Sequence, residues 1–137
     1  MNLQELFDDK FQVVAAMDGD SCPVLAFLLQ GEASTEASRQ GLLEMLMRVA
    51  ELGFQGIPSK WTHEANKQEQ IYEFVKGDLR LFFFKGAGRQ VAVCTAGVMK
   101  KGQKADKGMV NLSASIKSKY FSALQLGTLK VITNEDD

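Results

Sequence analysis

The sequence predicts an α+β fold in which helices flank an antiparallel sheet, and three observations carry that prediction. Leu42, Leu43, Leu46, Val49 and Ala50 recur at helical spacing. From residue 70 onward the apolar residues follow a strand period interrupted by glycine turns. The chain has 137 residues, about one domain's worth, so helices and strands are expected to share one folded unit spanning residues 1–137.

Taken in order, residues 11–17 (Phe-Gln-Val-Val-Ala-Ala-Met), closed by Asp18, Gly19 and Asp20, read as a first strand ending in a turn. Ser21 is expected to cap a first helix with Pro23 in its first turn, where a missing N–H costs little. Val24, Leu25, Phe27, Leu28 and Leu29 form its apolar face and Gly31 ends it. The second helix is capped by Ser34 or Thr35 and stopped by Gly53. Residues 56–66, with Pro58, Trp61 and His63, have no usable period and read as a crossing loop in which Trp61 plugs an edge of the core.

Residues 70–76, 79–85 and 89–98 form three β-rich runs separated by Gly77-Asp78 and Gly86-Ala87-Gly88, an antiparallel meander. On the middle run, alternation puts Leu79, Leu81 and Phe83 on one face and Arg80, Phe82 and Phe84 on the other. Both faces are apolar, so this strand is expected to be central and covered on both sides. Asp106 caps a last helix with Met109, Leu112, Ile116 and Tyr120 on one stripe, ending near Gly127. Residues 128–133 have the composition for a short extra strand, and the acidic tail near 131–137 is expected to be mobile.

The hydrophobic share of 45% and charged share of 24% exclude the disordered and membrane classes. No apolar stretch approaches the roughly 18 residues of a spanning helix, and Glu5, Asp8 and Asp9 stand where a secretory signal would carry positive charge. A cytoplasmic, membrane-free protein is expected. Cys22 and Cys94 have no metal-binding or redox spacing and read as small buried hydrophobes.

The net charge of −1 conceals an asymmetry. Residues 1–70 hold eleven acidic and five basic residues, residues 71–130 three acidic and eleven basic, and Glu135, Asp136 and Asp137 follow. A basic half of this kind suits a polyanionic partner.

Four stretches, in order and spacing, resemble the RelE/HigB toxin superfamily, in particular its phage-derived HigB-like branch. Ser21-Cys22-Pro23-Val24 opens the first helix, and Ile71-Tyr72-Glu73-Phe74 is similar to the family's Leu-Tyr-Glu-Leu-Arg strand. The run from Gly77 to Phe84 looks like its Tyr-Arg-Val-Phe-Tyr strand. The run from Val98 to Lys104 is close to the Phe-Xaa-Lys-Lys-Xaa-Gln-Lys segment before its last helix. The resemblance covers most of the chain. It implies a small twisted antiparallel sheet flanked by helices (the RelE-like toxin fold), cleavage of mRNA, often on the ribosome, and neutralisation by a cognate antitoxin, expected to be of helix-turn-helix type. One departure stands out: the family's arginine two residues after the glutamate is Val75 here, and the nearest cation is Lys76.

Cleavage of RNA through its own 2′-hydroxyl needs a proton acceptor, cations at the phosphate and a donor for the leaving oxygen. No metal or other cofactor is expected, since His63 is the only histidine and no Asp/Glu/His cluster stands out. Arg80, matching the family arginine, is the candidate for gripping the phosphate; an ion pair with Glu73 is its plainer reading. Lys100, Lys101 and Lys104 complete the candidate catalytic set, mutual repulsion making one of them, left open, the base. Lys76, Arg89, Gln103, Lys117, Lys119 and Tyr120 are candidate RNA contacts, Tyr120 having equally the spacing of a core residue. His63 reads as structural or solvated, and Phe82, Phe83 and Phe84 as core. The expected function is the toxin of a type II toxin-antitoxin system, a metal-independent mRNA endoribonuclease. The alternative is a non-catalytic phage-derived protein that keeps the fold and binds a protein or nucleic acid.

Overall fold

The structure is a computed structural model that describes residues 1–100 and 106–133. Its strands are β1 (Asn2–Asp8), β2 (Gln12–Ala16), β3 (Thr62–Asn66), β4 (Ile71–Lys76), β5 (Leu79–Phe84), β6 (Gln90–Met99) and β7 (Lys130–Ile132). Helices α1 (Pro23–Leu29) and α2 (Glu36–Leu52) lie between β2 and β3, and α3 (Lys107–Leu126) follows β6. The strands form one sheet in the order β3-β4-β5-β6-β2-β1-β7. The architecture is α+β, with α1 and α2 against one face and α3 against the other.

The meander β3-β4-β5-β6 is antiparallel, as expected for β4 to β6. The sheet as a whole is mixed and larger than expected. β2 joins β6 in parallel and β7 joins β1 in parallel. Parallel neighbours need long crossovers, and everything between β2 and β6 supplies one.

Two strands stand where the sequence suggested none. In β1 a register shift between Glu5 and Phe7 interrupts the period of two. β3 replaces part of the expected loop: as an edge strand with one neighbour it is built from Thr62, His63, Glu64, Ala65 and Asn66, four of them polar residues that blunt an edge. β7 occupies part of the tail, so residues 131 and 132 are paired with β1; residues 134–137 lie outside the described residues, and the expectation of mobility there goes untested.

The first core layer packs Val13, Phe74, Leu81, Phe83 and Cys94 against Val24, Leu28, Leu42, Leu46 and Val49. Phe83 stacks on Phe74 at 4.3 Å and on Phe54 at 5.3 Å, and Trp61 closes one margin as expected. The second layer packs Leu3, Val14, Ile71, Phe82, Phe84 and Val93 against Val110 and Tyr120 of α3. β5 is covered on both faces.

Helix ends follow local chemistry with one shift, and the buried face of α3 differs from the expected one. Asp106 caps α3 through its carboxylate, which accepts from the Met109 N–H at 3.1 Å, and Gly127 ends it in the left-handed region at φ 72°. At α1 the cap position is Cys22, because the Ser21 hydroxyl turns back to donate to the Asp18 carbonyl. The buried stripe of α3 is rotated from the expected one: Val110, Ser113, Tyr120 and Ala123 are buried and Leu112 is 44% exposed. Ser113 goes inward because its hydroxyl meets the Thr95 hydroxyl at 2.6 Å, and Thr95 in turn donates to the Phe82 carbonyl. An apolar count passes over such a satisfied polar pair.

Candidate functional site

Three adjacent strands bring ionisable side chains together on the α3 side of the sheet. His63 of β3 lies directly opposite Glu73 of β4, and Glu73 lies opposite Phe82 of β5, which makes Arg80 its diagonal neighbour. His63 Nδ1 is 3.8 Å and Arg80 Nε 3.9 Å from the same oxygen, Glu73 Oε1. The side chains of Glu73 and Arg80 are 4% and 14% exposed, that of His63 56%.

The cluster is electrostatically paired and poorly hydrogen-bonded. A separation of 3.9 Å is an ion contact beyond hydrogen-bond range. Arg80 gives its Nη1 protons to the carbonyls of Gly77 at 2.7 Å and Leu79 at 2.9 Å, which holds the guanidinium against the β4–β5 turn. Among the described residues, buried Glu73 Oε2 and Arg80 Nε have no hydrogen-bond partner. Burying a carboxylate is costly unless cations and donors compensate, and an orphaned oxygen inside a folded domain calls for a reason.

Lys100 belongs to the same end of the molecule. Its N–H donates to the Asp78 carbonyl at 2.7 Å, tying the end of β6 to the β4–β5 turn, and Val98, two residues earlier, faces Arg80 across the strands. Lys101, Gln103 and Lys104 lie outside the described residues. Val75, the position where the resemblance would place an arginine, is directly opposite Arg80. Lys76 does not replace that arginine: it alternates to the other face, where its stem lies so close to α2 that a Cβ on Gly41 would come within 2.6 Å of its Cε.

The remaining candidates are dispersed. Arg89 is at the opposite end of the sheet, donating to Asp8 Oδ1 at 2.7 Å and to the Asp9 and Lys10 carbonyls at 2.8 and 3.2 Å, which clamps the β1–β2 turn. Lys117 Nζ donates to the Glu69 carbonyl at 2.9 Å and to Gln70 Oε1 at 3.3 Å, fastening α3 to the β3–β4 turn. Lys119 is on another flank of α3, lining a groove with Met1, Met17 and Phe27. Tyr120 is 0% exposed and is a core residue, its hydroxyl accepting from the Ala87 N–H at 3.1 Å and donating to Gln90 Oε1; an RNA contact by this side chain is excluded in this conformation. Burial pushes its phenol above the ordinary range, the Ala87 bond opposing part of that rise.

The structure thus joins Arg80 and Lys100 and adds His63, which by sequence alone reads as structural or solvated, and Glu73, which reads only as an ion-pair partner. Glu73 left a signal, an acid inside the apolar strand Ile-Tyr-Glu-Phe-Val. His63 left none, because its position depends on the pairing of β3. Among the described residues no group of three His, Cys, Asp or Glu side chains is placed to hold a metal ion, and no helix is long and apolar enough to cross a membrane. No protein-family model and no curated protein matches the sequence.

Proposed function

We propose that this chain is a toxin of the RelE/HigB kind, a cytoplasmic endoribonuclease that cuts mRNA without a metal, free or on the ribosome, and is neutralised by a helix-turn-helix antitoxin. The observation that carries the reading is Arg80: a fixed guanidinium, held by two backbone carbonyls, whose buried Nε makes an ion contact with Glu73 but no hydrogen bond, with Lys100 tied to the same turn. A planar cation immobilised in this way suits a phosphodiester, whose charge grows at the transition state. Lys101, Gln103 and Lys104, between Lys100 and α3 in sequence, would extend the cationic margin.

The reading is tested by inducing the protein in cells and following growth and transcript integrity. Growth arrest with cut mRNA is expected, and Arg80→Lys, which keeps charge but loses the planar fork, should abolish both. Induction that leaves growth and transcripts intact overturns it. The second reading, RNA binding without cleavage, is favoured by Val75, which leaves the site one cation short of the family pattern. Its signature is salt-sensitive RNA binding with the RNA uncut.

A further inference from the structure

We infer that His63 is the proton-accepting group of this site, positioned by the buried Glu73 carboxylate, with the scissile phosphodiester lying between His63 and Arg80. The inference rests on the reading of the chain as a ribonuclease and names a residue that neither the sequence motifs nor the lysine loop suggests.

Histidine is the side chain whose ordinary titration lies nearest neutrality, and this chain has one. Its ring is more than half exposed while the carboxylate beside Nδ1 is almost wholly buried. Nδ1 is thus the nitrogen on the protein side, and Nε2, across the ring, is the one available to a substrate. A carboxylate behind an imidazole fixes its orientation and stabilises the cation formed when it takes a proton.

A purely structural Glu73–Arg80 pair would spend the guanidinium on the carboxylate. Here Arg80 spends Nη1 on backbone carbonyls instead and leaves Nε without a hydrogen bond, while Glu73 Oε2 accepts none. The carboxylate therefore retains capacity to accept from the imidazole, and the 3.8 Å gap is of the size that closes when a site engages its substrate. His63 Nδ1 and Arg80 Nε both approach one carboxylate oxygen, so a phosphate gripped by Arg80 is also within the neighbourhood of His63. Glu73 is the charged group in contact with the imidazole, at 3.8 Å, and Arg80 approaches the same carboxylate oxygen.

Neutral His63 takes the 2′-hydroxyl proton on Nε2 as the 2′-oxygen forms its bond to phosphorus. The bond from phosphorus to the 5′-oxygen breaks, its electron pair leaves with that oxygen, and solvent supplies the proton there. The products are a 2′,3′-cyclic phosphate and a 5′-hydroxyl end, with Arg80 stabilising the charge on the non-bridging oxygens.

The test compares wild-type protein with His63→Gln and Glu73→Gln on a defined RNA, free and ribosome-bound, over a range of pH, with RNA binding and thermal melting measured in parallel. His63 is exposed, so His63→Gln should melt as wild type does. Its kcat should fall by about 10²- to 10⁴-fold with KM little changed, and the acid limb of the pH–rate profile should disappear. Glu73→Gln should lose less kcat and keep that limb, as expected of a positioning residue. If wild type cuts RNA and His63→Gln cuts it equally well with the same pH profile, the role of His63 is refuted while the ribonuclease reading stands. If wild type cuts neither free nor ribosome-bound RNA, the ribonuclease reading falls and the role of His63 with it.

Discussion

The two ends of the sheet use polar side chains in opposite ways. Around Gln12 and Gln90 the network is closed: the Ala87 N–H donates to the Tyr120 hydroxyl, which donates to Gln90 Oε1, while Gln90 Nε2 donates to Gln12 Oε1 and Gln12 Nε2 to Glu5 Oε1. Arg89 is equally committed, to Asp8 and two carbonyls. Around Glu73 the network is open, with two buried polar atoms unpartnered and a histidine facing water. Satisfied networks rigidify a fold. The open one costs stability without returning hydrogen bonds, which is the pattern of a site prepared for a ligand.

The largest effect should come from breaking the open end. Arg80→Ala leaves the buried Glu73 carboxylate facing only His63, and removing one partner of a buried pair costs roughly 3–5 kcal/mol. Denaturant unfolding should register that loss, and Arg80→Ala with Glu73→Gln should recover much of it by removing the stranded charge. An Arg80→Ala protein as stable as wild type would show that the guanidinium does not support Glu73. Loss of activity in Arg80→Ala is interpretable only beside this measurement, which is why Arg80→Lys is the cleaner functional variant.

Breaking the closed end should cost less and leave the proposed RNA cleavage untouched. Tyr120→Phe strands the Ala87 N–H and Gln90 Oε1, a loss of about 1–3 kcal/mol. It also carries a pH signature. The folded state holds the Tyr120 phenol above its ordinary range through burial, so the phenol's contribution is fully present below an unfolded value of about 10. That contribution is lost as pH rises from there through the folded value. Melting temperature in wild type should fall more steeply above about pH 10 than in Tyr120→Phe. The buried Cys94 thiol, also pushed up by burial, adds an alkaline slope common to both proteins, so parallel curves would remove Tyr120 from the account.

What the sequence disclosed about these two ends divides by the range of the interactions. The α2 stripe, the Asp106 cap, the Gly127 stop and the two-faced alternation of β5 depend on residues a few positions apart, and all are present in the structure. The parallel pairing of β2 with β6 joins segments about 80 residues apart, and no period reveals it. β1 hid behind a bulge and β3 behind the polar composition of an edge. The same limit governs the site. Arg80 stood out because a strand otherwise apolar carries it, whereas His63 becomes its neighbour only once β3 pairs with β4. Charge alone could not separate Arg80 from Arg89: both donate to two carbonyls, but Arg89 also hydrogen-bonds its carboxylate at 2.7 Å, whereas Arg80 reaches Glu73 only at 3.9 Å.

Arg89 therefore gives the smallest effect and the sharpest contrast. Its pair with Asp8 is exposed, at 56% and 43% for the two side chains, and exposed pairs contribute about 0.2–1 kcal/mol. Arg89→Ala should lower stability within that range, loosening the β1–β2 turn that it clamps. Because its protons are already given to Asp8, Asp9 and Lys10, the same change should leave RNA affinity and its salt dependence where they were. If Arg89 instead holds a phosphate, the slope of log affinity against log salt becomes shallower by about 0.7 on single-stranded RNA. That outcome would extend the proposed nucleic-acid surface the length of the sheet and dissolve the division between a structural end and a functional one.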